Sequence, residues 1–262
     1  MKSNIKVICK KGGKTGKTTL ILAGVHGNEK CGIIAFDKII KNIKIESGKV
    51  YFIYSNLKAI KQNKRYIEKN LNRCFFKKQS KEIKLSLEGN TAREIIPYLN
   101  SADFMLDLHA CFTKDAKPFV ICDIKQINNA NIFNSEIVTY NWDPFEPGST
   151  DYYMNLLNKP GFCFECGYYK DKKSCNIAKK TIYNFLIFSG NIKGRLFKKK
   201  YQRILKIKRV YINKRYSFVK RKYFKDFKKF NSKTMIGYEG EIPVKVNKDD
   251  IILFLRNKKV LN

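Results

Sequence analysis

The sequence predicts an α/β domain with a mostly parallel central sheet, followed by a small, strongly basic β-rich domain. Short apolar runs bounded by turn residues recur through the first 190 residues, and segments with apolar residues at helical spacing lie between several of them. Because strands that are apolar throughout are buried on both faces, their alternation with helices indicates a parallel sheet covered by helices. A change of composition after residue 193 predicts the second domain.

Seven strands and three helices are predicted for the main domain. The strands are residues 5–9, 18–25, 50–55, 104–108, 119–122, 137–140 and 162–165. The helices are residues 30–42, 90–99 and 177–189. The first helix has the pattern of an amphipathic helix, because Ile33, Phe36 and Ile40 fall on one face. Gly190 ends the last helix.

The predicted boundary separates residues 1–192 from residues 193–262. Residues 194–233 carry 17 Lys and Arg against a single acidic residue, with Tyr and Phe interleaved. Apolar residues alternate over residues 203–210, which is typical of short strands. These features predict a β-rich C-terminal domain.

The formal net charge of +32 raises the hypothesis of a nucleic-acid or other anionic partner. The bases are 45 Lys and only 9 Arg, and the chain is also rich in Ile, Asn, Phe and Tyr, as AT-rich coding would produce. The compositional interpretation is therefore favoured. The 44% hydrophobic content excludes a wholly disordered chain.

Cysteine usage and hydropathy bear on the compartment. The eight cysteines follow no disulfide-framework or zinc-ribbon spacing, which predicts reduced thiols. No apolar run approaches the roughly 20 residues of a membrane span, and no signal-peptide pattern is recognisable. We therefore expect a cytoplasmic protein without a membrane partner.

Residues 12–18, Gly-Gly-Lys-Thr-Gly-Lys-Thr, resemble a phosphate-binding loop only superficially. Three residues separate Gly12 from Gly16 where that motif needs four, and the run that follows is of strand type rather than helical. The segment predicts a basic hairpin turn, not a nucleotide site.

Both histidines of the chain stand just past predicted buried strands. His26 follows strand 18–25, and His109 follows strand 104–108. Because ligands bind at the carboxyl ends of the strands of open α/β sheets, both imidazoles are expected at one crevice. Glu29, three residues after His26 at a Gly-flanked turn, adds a carboxylate. Two His and one Glu with a fourth position open form the ligand set of a hydrolytic zinc site; the alternative is that each His is merely structural.

A second carboxylate, Glu165, closes the predicted strand 162–165. Burial beside a metal would tune it as a base that takes a proton from water and passes it to a leaving amine. Cys163 and Cys166 flank it at Cys-x-x-Cys spacing. Residues three apart in a strand face opposite sides, so we do not expect them to share one ion.

Four segments carry a family resemblance: residues 24–29 (Gly-Val-His-Gly-Asn-Glu), 65–75 (ending Leu-Asn-Arg-Cys-Phe), 107–109 (Asp-Leu-His) and 164–167 (Phe-Glu-Cys-Gly). In this order they resemble the succinylglutamate desuccinylase/aspartoacylase family, over roughly residues 18–190. The resemblance implies a zinc-carboxypeptidase-like α/β fold and a zinc-dependent deacylase that hydrolyses a linear, non-peptide amide. It further implies one Zn²⁺ per chain and a small N-acyl amino acid, or a related small carboxylate amide, as the substrate.

The resemblance also implies a role for each matching residue. The zinc ligands would be His26, Glu29 and His109, with Glu165 as the general acid/base. Arg65 matches the arginine that polarises the scissile carbonyl and steadies the oxyanion. Asn72 and Arg73 match the pair that holds the substrate's carboxylate, a task that suits a guanidinium fork.

One departure from the family concerns the substrate. The aspartoacylase branch has an additional arginine shortly before the catalytic glutamate, and it binds a second substrate carboxylate. Residues 151–158 of this chain contain no Arg. N-acetylaspartate is therefore not the predicted substrate.

Two other functions stay open on the sequence. A zinc carboxypeptidase acting on peptide C-termini would use the same residues, since Arg73 would serve there equally. A nucleic-acid or anionic-surface binding protein on an enzyme scaffold would use the basic segment 194–233. The intact set of His and Glu residues argues against the latter, and the sequence leaves the oligomeric state open.

Overall fold

The computed structural model describes residues 3–114, 116–213 and 215–257. A mixed, mostly parallel eight-stranded sheet with helices on both faces forms the main body, and small antiparallel sheets follow it. The predicted fold class is thereby confirmed. Within the described residues, no helix combines the length and apolar character needed to cross a bilayer.

The main sheet contains β1 (Lys6–Lys11), β2 (Lys14–Ala23), β3 (Ser47–Tyr54), β4 (Phe104–Cys111), β5 (Phe119–Cys122), β6 (Ile137–Tyr140), β7 (Gly161–Tyr168) and β8 (Arg203–Lys206). Their order across the sheet is β1-β3-β2-β4-β7-β5-β6-β8. Neighbouring strands are parallel except at the β1–β3 and β5–β7 pairs. The central strands β2, β4 and β7 therefore end at the same edge.

The helices are α1 (Cys31–Ile39), α2 (Leu57–Gln62), α3 (Lys81–Leu85), α4 (Leu87–Ser101), α5 (Thr150–Leu156) and α6 (Lys172–Phe188), with 3₁₀ turns at Leu71–Arg73 and Ile124–Ile132. Helices α1 and α6 cover one face of the sheet, where Phe36, Phe162 and Phe185 are buried. Helices α4 and α5 cover the other face, where Leu99 and Met154 are buried. The central strands are thus buried on both sides, as their apolar sequences predict.

Two of the predicted helices begin earlier than the apolar pattern indicates. The side chain of Ser86 accepts a hydrogen bond from the Gly89 N–H and caps α4. The side chain of Asp171 caps α6 in the same way through the Lys173 N–H. Such caps fix a helix start upstream of the first apolar position.

The predicted hairpin at residues 12–18 is wrong. The chain does turn at Gly12 and Gly13, but β1 and β2 do not pair with each other, because β3 lies between them and pairs with both. The turn therefore joins two strands that are not neighbours.

The C-terminal residues form a three-stranded sheet of β9 (Phe218–Lys220), β11 (Thr234–Glu239) and β12 (Ile242–Val246), and a pair of β10 (Lys228–Lys229) with β13 (Ile251–Ile252). Phe218, Phe224 and Phe230 form part of their small core. Strand β8 belongs to the predicted C-terminal domain yet pairs with β6 at the edge of the main sheet. The division at residue 192 stays a prediction.

Asp151, in the first turn of α5, is a buried carboxyl group. It accepts a hydrogen bond of 2.6 Å from the hydroxyl of Ser149, which caps the helix. Burial raises the pKa of Asp151 to about 6. The folded state therefore favours the protonated form of Asp151, and ionisation of this group lowers the free energy of unfolding.

We expect Asp151→Asn to stabilise the protein above pH 6. A carboxyl pKa raised from 3.8 to about 6 costs about 3 kcal/mol of folding free energy once the group is ionised. This cost is absent below the pKa of Asp151 in the unfolded chain and complete above its pKa in the folded protein. Denaturant unfolding at pH 4 and pH 7 measures it: the difference in unfolding free energy between variant and parent should grow by about 2–3 kcal/mol from pH 4 to pH 7. An equal difference at both pH values would contradict the assignment.

Candidate active site

The loop after β2 turns His26 and Glu29 to the same side. Gly24 adopts a φ of 72°, which glycine reaches without strain. A Cβ at Gly27 would lie 2.2 Å from the backbone carbon of Ala59, so only glycine lets the loop pass α2 this closely. The Glu29 N–H donates to the carbonyl of His26 at 3.1 Å and closes the turn.

The structure brings His26, Glu29 and His109 together, as predicted. The Nδ1 atom of His26 lies 2.9 Å from Glu29 Oε1, and the Nδ1 atom of His109 lies 3.0 Å from Glu29 Oε2. The two Nδ1 atoms are 3.1 Å apart. Each residue is at most 3% exposed. Two imidazole nitrogens and a carboxylate therefore converge on one buried point.

Each imidazole is oriented by its other nitrogen. The Nε2 atom of His26 lies 2.9 Å from the Asn70 side-chain oxygen. The Nε2 atom of His109 lies 3.0 Å from Asp107 Oδ2, although this contact is not aligned as a hydrogen bond. Asp107 is held in turn by the Thr150 hydroxyl, which donates to it at 2.7 Å. Such partners direct both Nδ1 atoms toward the convergence point.

The donor set fits a divalent cation. Tetrahedral Zn²⁺ with ligand bonds of 2.0–2.1 Å separates its donor atoms by about 3.3 Å, close to the spacings here. Burial lowers the pKa of His26 to about 4, so its imidazole is neutral at pH 7. Burial alone would raise the pKa of Glu29, but the two imidazoles hold that pKa well below its usual range. A neutral imidazole and a carboxylate are the forms that bind metal.

His109 differs from His26 in its charge environment. Burial alone would lower the pKa of His109, but the Asp107 carboxylate raises it well above its usual value. A metal ion at Nδ1 would displace the proton from that nitrogen, and Asp107 would then face the remaining Nε2–H. Carboxylate, imidazole and cation in this order form an arrangement typical of metal sites.

Arg65 lies beside the cluster. Its Nη1 donates to Glu29 Oε1 at 2.8 Å, and its guanidinium lies 5.2 Å from the centre of the Phe112 ring. The Glu29 Oε1 atom is thus in contact with both Arg65 and the His26 Nδ1 atom, which lies 2.9 Å from it. The role of Arg65 at a substrate carbonyl stays a prediction.

Glu88 anchors the loop that carries Arg65 and Asn70. Its fully buried carboxylate accepts hydrogen bonds from the N–H groups of Ile67, Glu68 and Lys69 at 2.7–3.1 Å. Sequence reasoning missed this residue, because nothing in the sequence links the start of α4 to a loop some 20 residues upstream. It also gave no role to Asn70, which lies inside the matched segment 65–75.

Glu165 lies on β7 as the register partner of His109 on β4. Its side chain is nearly buried and accepts a hydrogen bond from the Cys111 thiol, with 3.3 Å between Oε2 and Sγ. Burial, with the charge of Glu29 nearby, raises the pKa of Glu165 to about 7. A carboxyl group that titrates near neutral pH can both accept and return a proton. The Cys111 contact was not predicted.

Asn72 and Arg73 lie in the 3₁₀ turn that directly follows Asn70. Because the Asn70 side chain contacts His26, this turn lies close to the histidine cluster. The Asn72 side-chain oxygen accepts from the Thr150 N–H at 3.4 Å. The Arg73 guanidinium, about one third exposed, forms an ion pair with Glu146. The structure therefore places Arg73 near the site but pairs it with a carboxylate of the chain itself.

A histidine–glutamate–histidine cluster beside a buried carboxyl group, at the carboxyl edge of a parallel sheet, is typical of metal-dependent hydrolases. The sequence model of the succinylglutamate desuccinylase/aspartoacylase catalytic domain matches residues 15–189, which is well over half of the chain. The chain belongs to this family.

Named relatives match more than half of the chain. A protein named probable aspartoacylase from Nostoc sp. is 30% identical over 164 residues, covering 56% of this chain and 54% of that protein. The N-acyl-aromatic-L-amino acid amidohydrolase (carboxylate-forming) of Rattus norvegicus is 27% identical over 178 residues, covering 56% of this chain and 52% of that protein. The matched part of the chain thus spans about half the length of these relatives.

Solved structures share the fold. The product-bound ectoine utilization protein EutE (DoeB) from Ruegeria pomeroyi superposes with a TM-score of 0.74 at 19% identity, covering 97% of this chain and 86% of that chain. A succinylglutamate desuccinylase/aspartoacylase from Rhodobacter sphaeroides gives a TM-score of 0.72 at 19% identity, covering 95% and 82%. Both likenesses extend over the C-terminal sheets as well as the main one.

Proposed function

We propose that this protein is a zinc-dependent deacylase that hydrolyses an N-acyl amino acid to a carboxylate and a free amine. The observation that carries the proposal is the convergence of His26, Glu29 and His109 beside Glu165 at one buried edge of the sheet. Two relatives of the chain are named probable aspartoacylase and N-acyl-aromatic-L-amino acid amidohydrolase (carboxylate-forming), which supports this reaction class.

In this proposal His26, Glu29 and His109 hold the metal ion. When bound, Zn²⁺ supplies Lewis-acid polarisation of the substrate carbonyl and makes water more acidic. Other divalent ions accept the same ligands, so zinc is the expectation from ligand type and family.

The chain's own residues supply the remaining steps. Glu165 takes a proton from the attacking water and returns it to the leaving amine, for which a pKa of about 7 is suited. Arg65 stabilises the negative charge that develops on the carbonyl oxygen. Asn72 and Arg73 hold the carboxylate of the amino-acid part, and the burial of the ligand cluster excludes bulk water.

We expect Arg73→Ala to raise KM for N-acyl amino acids with a smaller effect on kcat. A hydrogen bond to a charged group contributes about 1.5–3 kcal/mol, which corresponds to roughly a 10–100-fold rise. Because Glu146 competes with the substrate's carboxylate for the same guanidinium, Glu146→Gln should lower KM or leave it unchanged. Steady-state kinetics of both variants test these two expectations. An unchanged KM in Arg73→Ala would exclude Arg73 as the residue that binds the substrate's carboxylate.

The substrate class is tested by amine release from a panel of N-acyl amino acids and short peptides, using zinc-loaded protein. The proposal predicts release from N-acyl amino acids and little from peptides. Preferential cleavage at peptide C-termini would indicate a carboxypeptidase instead. No release from any compound, with zinc bound, would contradict the proposal and direct attention to nucleic-acid binding by residues 194–233.

A further inference from the structure

We propose that the solvent-facing side of the C-terminal three-stranded sheet binds a single-stranded nucleic acid. One base would stack on the ring of Tyr238, and the phosphates next to that base would contact Arg221 and Lys245. This binding would be a second function of the chain, and it does not depend on the proposed deacylase reaction.

The first argument is a row of exposed side chains across the sheet. Tyr238 on the central strand β11 is the register partner of Val219 on β9 and of Pro243 on β12. Residues directly opposite each other in neighbouring strands point to the same face. Val219 is 54% exposed and Tyr238 is 40% exposed, whereas Phe218 and Val246 are buried in the small core on the other face. A tyrosine ring with apolar neighbours on both sides therefore lies open on the solvent face.

The second argument is a pair of cations on the same face. The backbone of Arg221 continues the β9–β11 pairing, since its N–H donates to a β11 carbonyl at 2.9 Å. Arg221 stands two positions after Val219, and Lys245 stands two positions after Pro243. Because side chains alternate between the faces of a strand, both cations share the face of Tyr238. Both are exposed, so phosphates can reach them from solvent.

The carboxylates near this face do not neutralise these cations. Glu239 and Glu241 stand at the turn between β11 and β12, whereas Arg221 and Lys245 lie at the end of the sheet away from that turn. The Glu239 carboxylate accepts hydrogen bonds from two backbone N–H groups. In the described C-terminal residues, the ion pairs involve other bases. Positive charge is therefore unbalanced beside the open ring.

The third argument is where the chain exposes aromatic rings. Net charge alone would not carry the inference, because AT-rich coding accounts for an excess of lysine. Among the described residues, the main body exposes only Tyr66 and Phe112, whereas the shorter stretch 197–238 exposes Phe197, Tyr201, Tyr211, Tyr216, Tyr223 and Tyr238. Exposed rings beside cations are typical of surfaces that bind single strands, because bases stack on the rings and phosphates contact the cations.

The test is fluorescence anisotropy of the parent protein with a fluorescein-labelled single-stranded RNA of about 12 nucleotides, a length within the usual range of site sizes. A DNA of the same sequence distinguishes the two kinds of single strand. We expect binding that weakens with added salt. Tyr238→Ala should lower the affinity by about 5–100-fold, the effect of losing one stacked base, and Tyr238→Phe should retain it.

Tyr201→Ala is the matched control for the ring. Tyr201 is an exposed tyrosine with the Lys200 amino group 5.3 Å from its ring centre, and it lies in the basic segment but outside the three-stranded sheet. This variant should keep the parental affinity. Equal losses in Tyr201→Ala and Tyr238→Ala, or parental affinity in Tyr238→Ala, would overturn the inference, because binding would then not depend on this face.

The phosphate contacts are tested by the salt dependence of the affinity. In a plot of log affinity against log salt concentration, Lys245→Ala should make the slope shallower by about 0.7, the value of one phosphate contact on a single strand. Lys44→Ala removes the same charge from an exposed position between α1 and β3 and should leave the slope unchanged. Equal slopes in Lys245→Ala and the parent would overturn the assigned contact.

Two further measurements separate other occupants of this face. Failure of the parent to bind either oligonucleotide would overturn the inference, and binding to phosphatidylserine vesicles would then assign the face to a membrane surface. A dimer of the parent that Tyr238→Ala dissociates would assign the face to a second copy of the chain, and would equally overturn the inference. Amine release should be parental in all these variants, so these outcomes leave the deacylase proposal untouched.

Discussion

Glu165→Gln is expected to lower kcat for amide hydrolysis by about 10²–10⁴-fold, the contribution typical of a general acid/base. Glutamine keeps the size of the side chain and an oxygen that accepts the Cys111 thiol, but it cannot take up a proton. The metal content should not change, because the proposed ligand atoms belong to His26, Glu29 and His109.

Steady-state kinetics and metal analysis on the same preparations check this result. Glu136→Gln is the matched control, since it makes the same substitution at an exposed carboxylate paired with Lys117. It should retain the parental rate. Hydrolysis by Glu165→Gln at the parental rate would show that another group carries the proton.

His26→Ala should abolish activity through loss of the metal. Changing a residue that only orients a ligand costs about 10–100-fold in metal affinity, so removal of a ligand itself should cost more than about 100-fold. His26 lies in the loop after β2 rather than in a strand, and we therefore expect the variant to fold.

Competition of the protein with a chelator for zinc measures the effect. Asn70→Ala, which removes only the partner of His26 Nε2, should show an intermediate loss of about 10–100-fold. Denaturant unfolding of the metal-free proteins controls for folding. Zinc affinity of His26→Ala equal to that of the parent would exclude His26 as a ligand.

The convergence of the ligands was predictable because it follows from sheet geometry. His26 follows β2, and His109 lies near the carboxyl end of β4 rather than past a strand ending at residue 108 as predicted; neighbouring strands of a parallel sheet end at one edge. Glu165 follows from the same rule on β7. The roles of Arg65, Asn72 and Arg73 came from the family resemblance alone, since an arginine in a basic chain carries no signal by itself.

Other contacts depend on segments that meet only in the folded chain. Glu88 binds a loop distant in sequence, and Cys111 on β4 donates to Glu165 on the neighbouring strand β7. Local sequence patterns contain no information about such tertiary contacts. Strand β8 is a similar case, because an alternating, basic run fits either the edge of the main sheet or a separate β domain.

The most direct measurement of the central claim is amine release from N-acyl amino acids by one preparation of the parent protein, before and after removal of its metal. The account predicts that a chelator abolishes release and that one equivalent of Zn²⁺ per chain restores it. Release that continues unchanged in protein shown to be free of metal would contradict the account, because the His26–Glu29–His109 cluster would then have no part in the reaction.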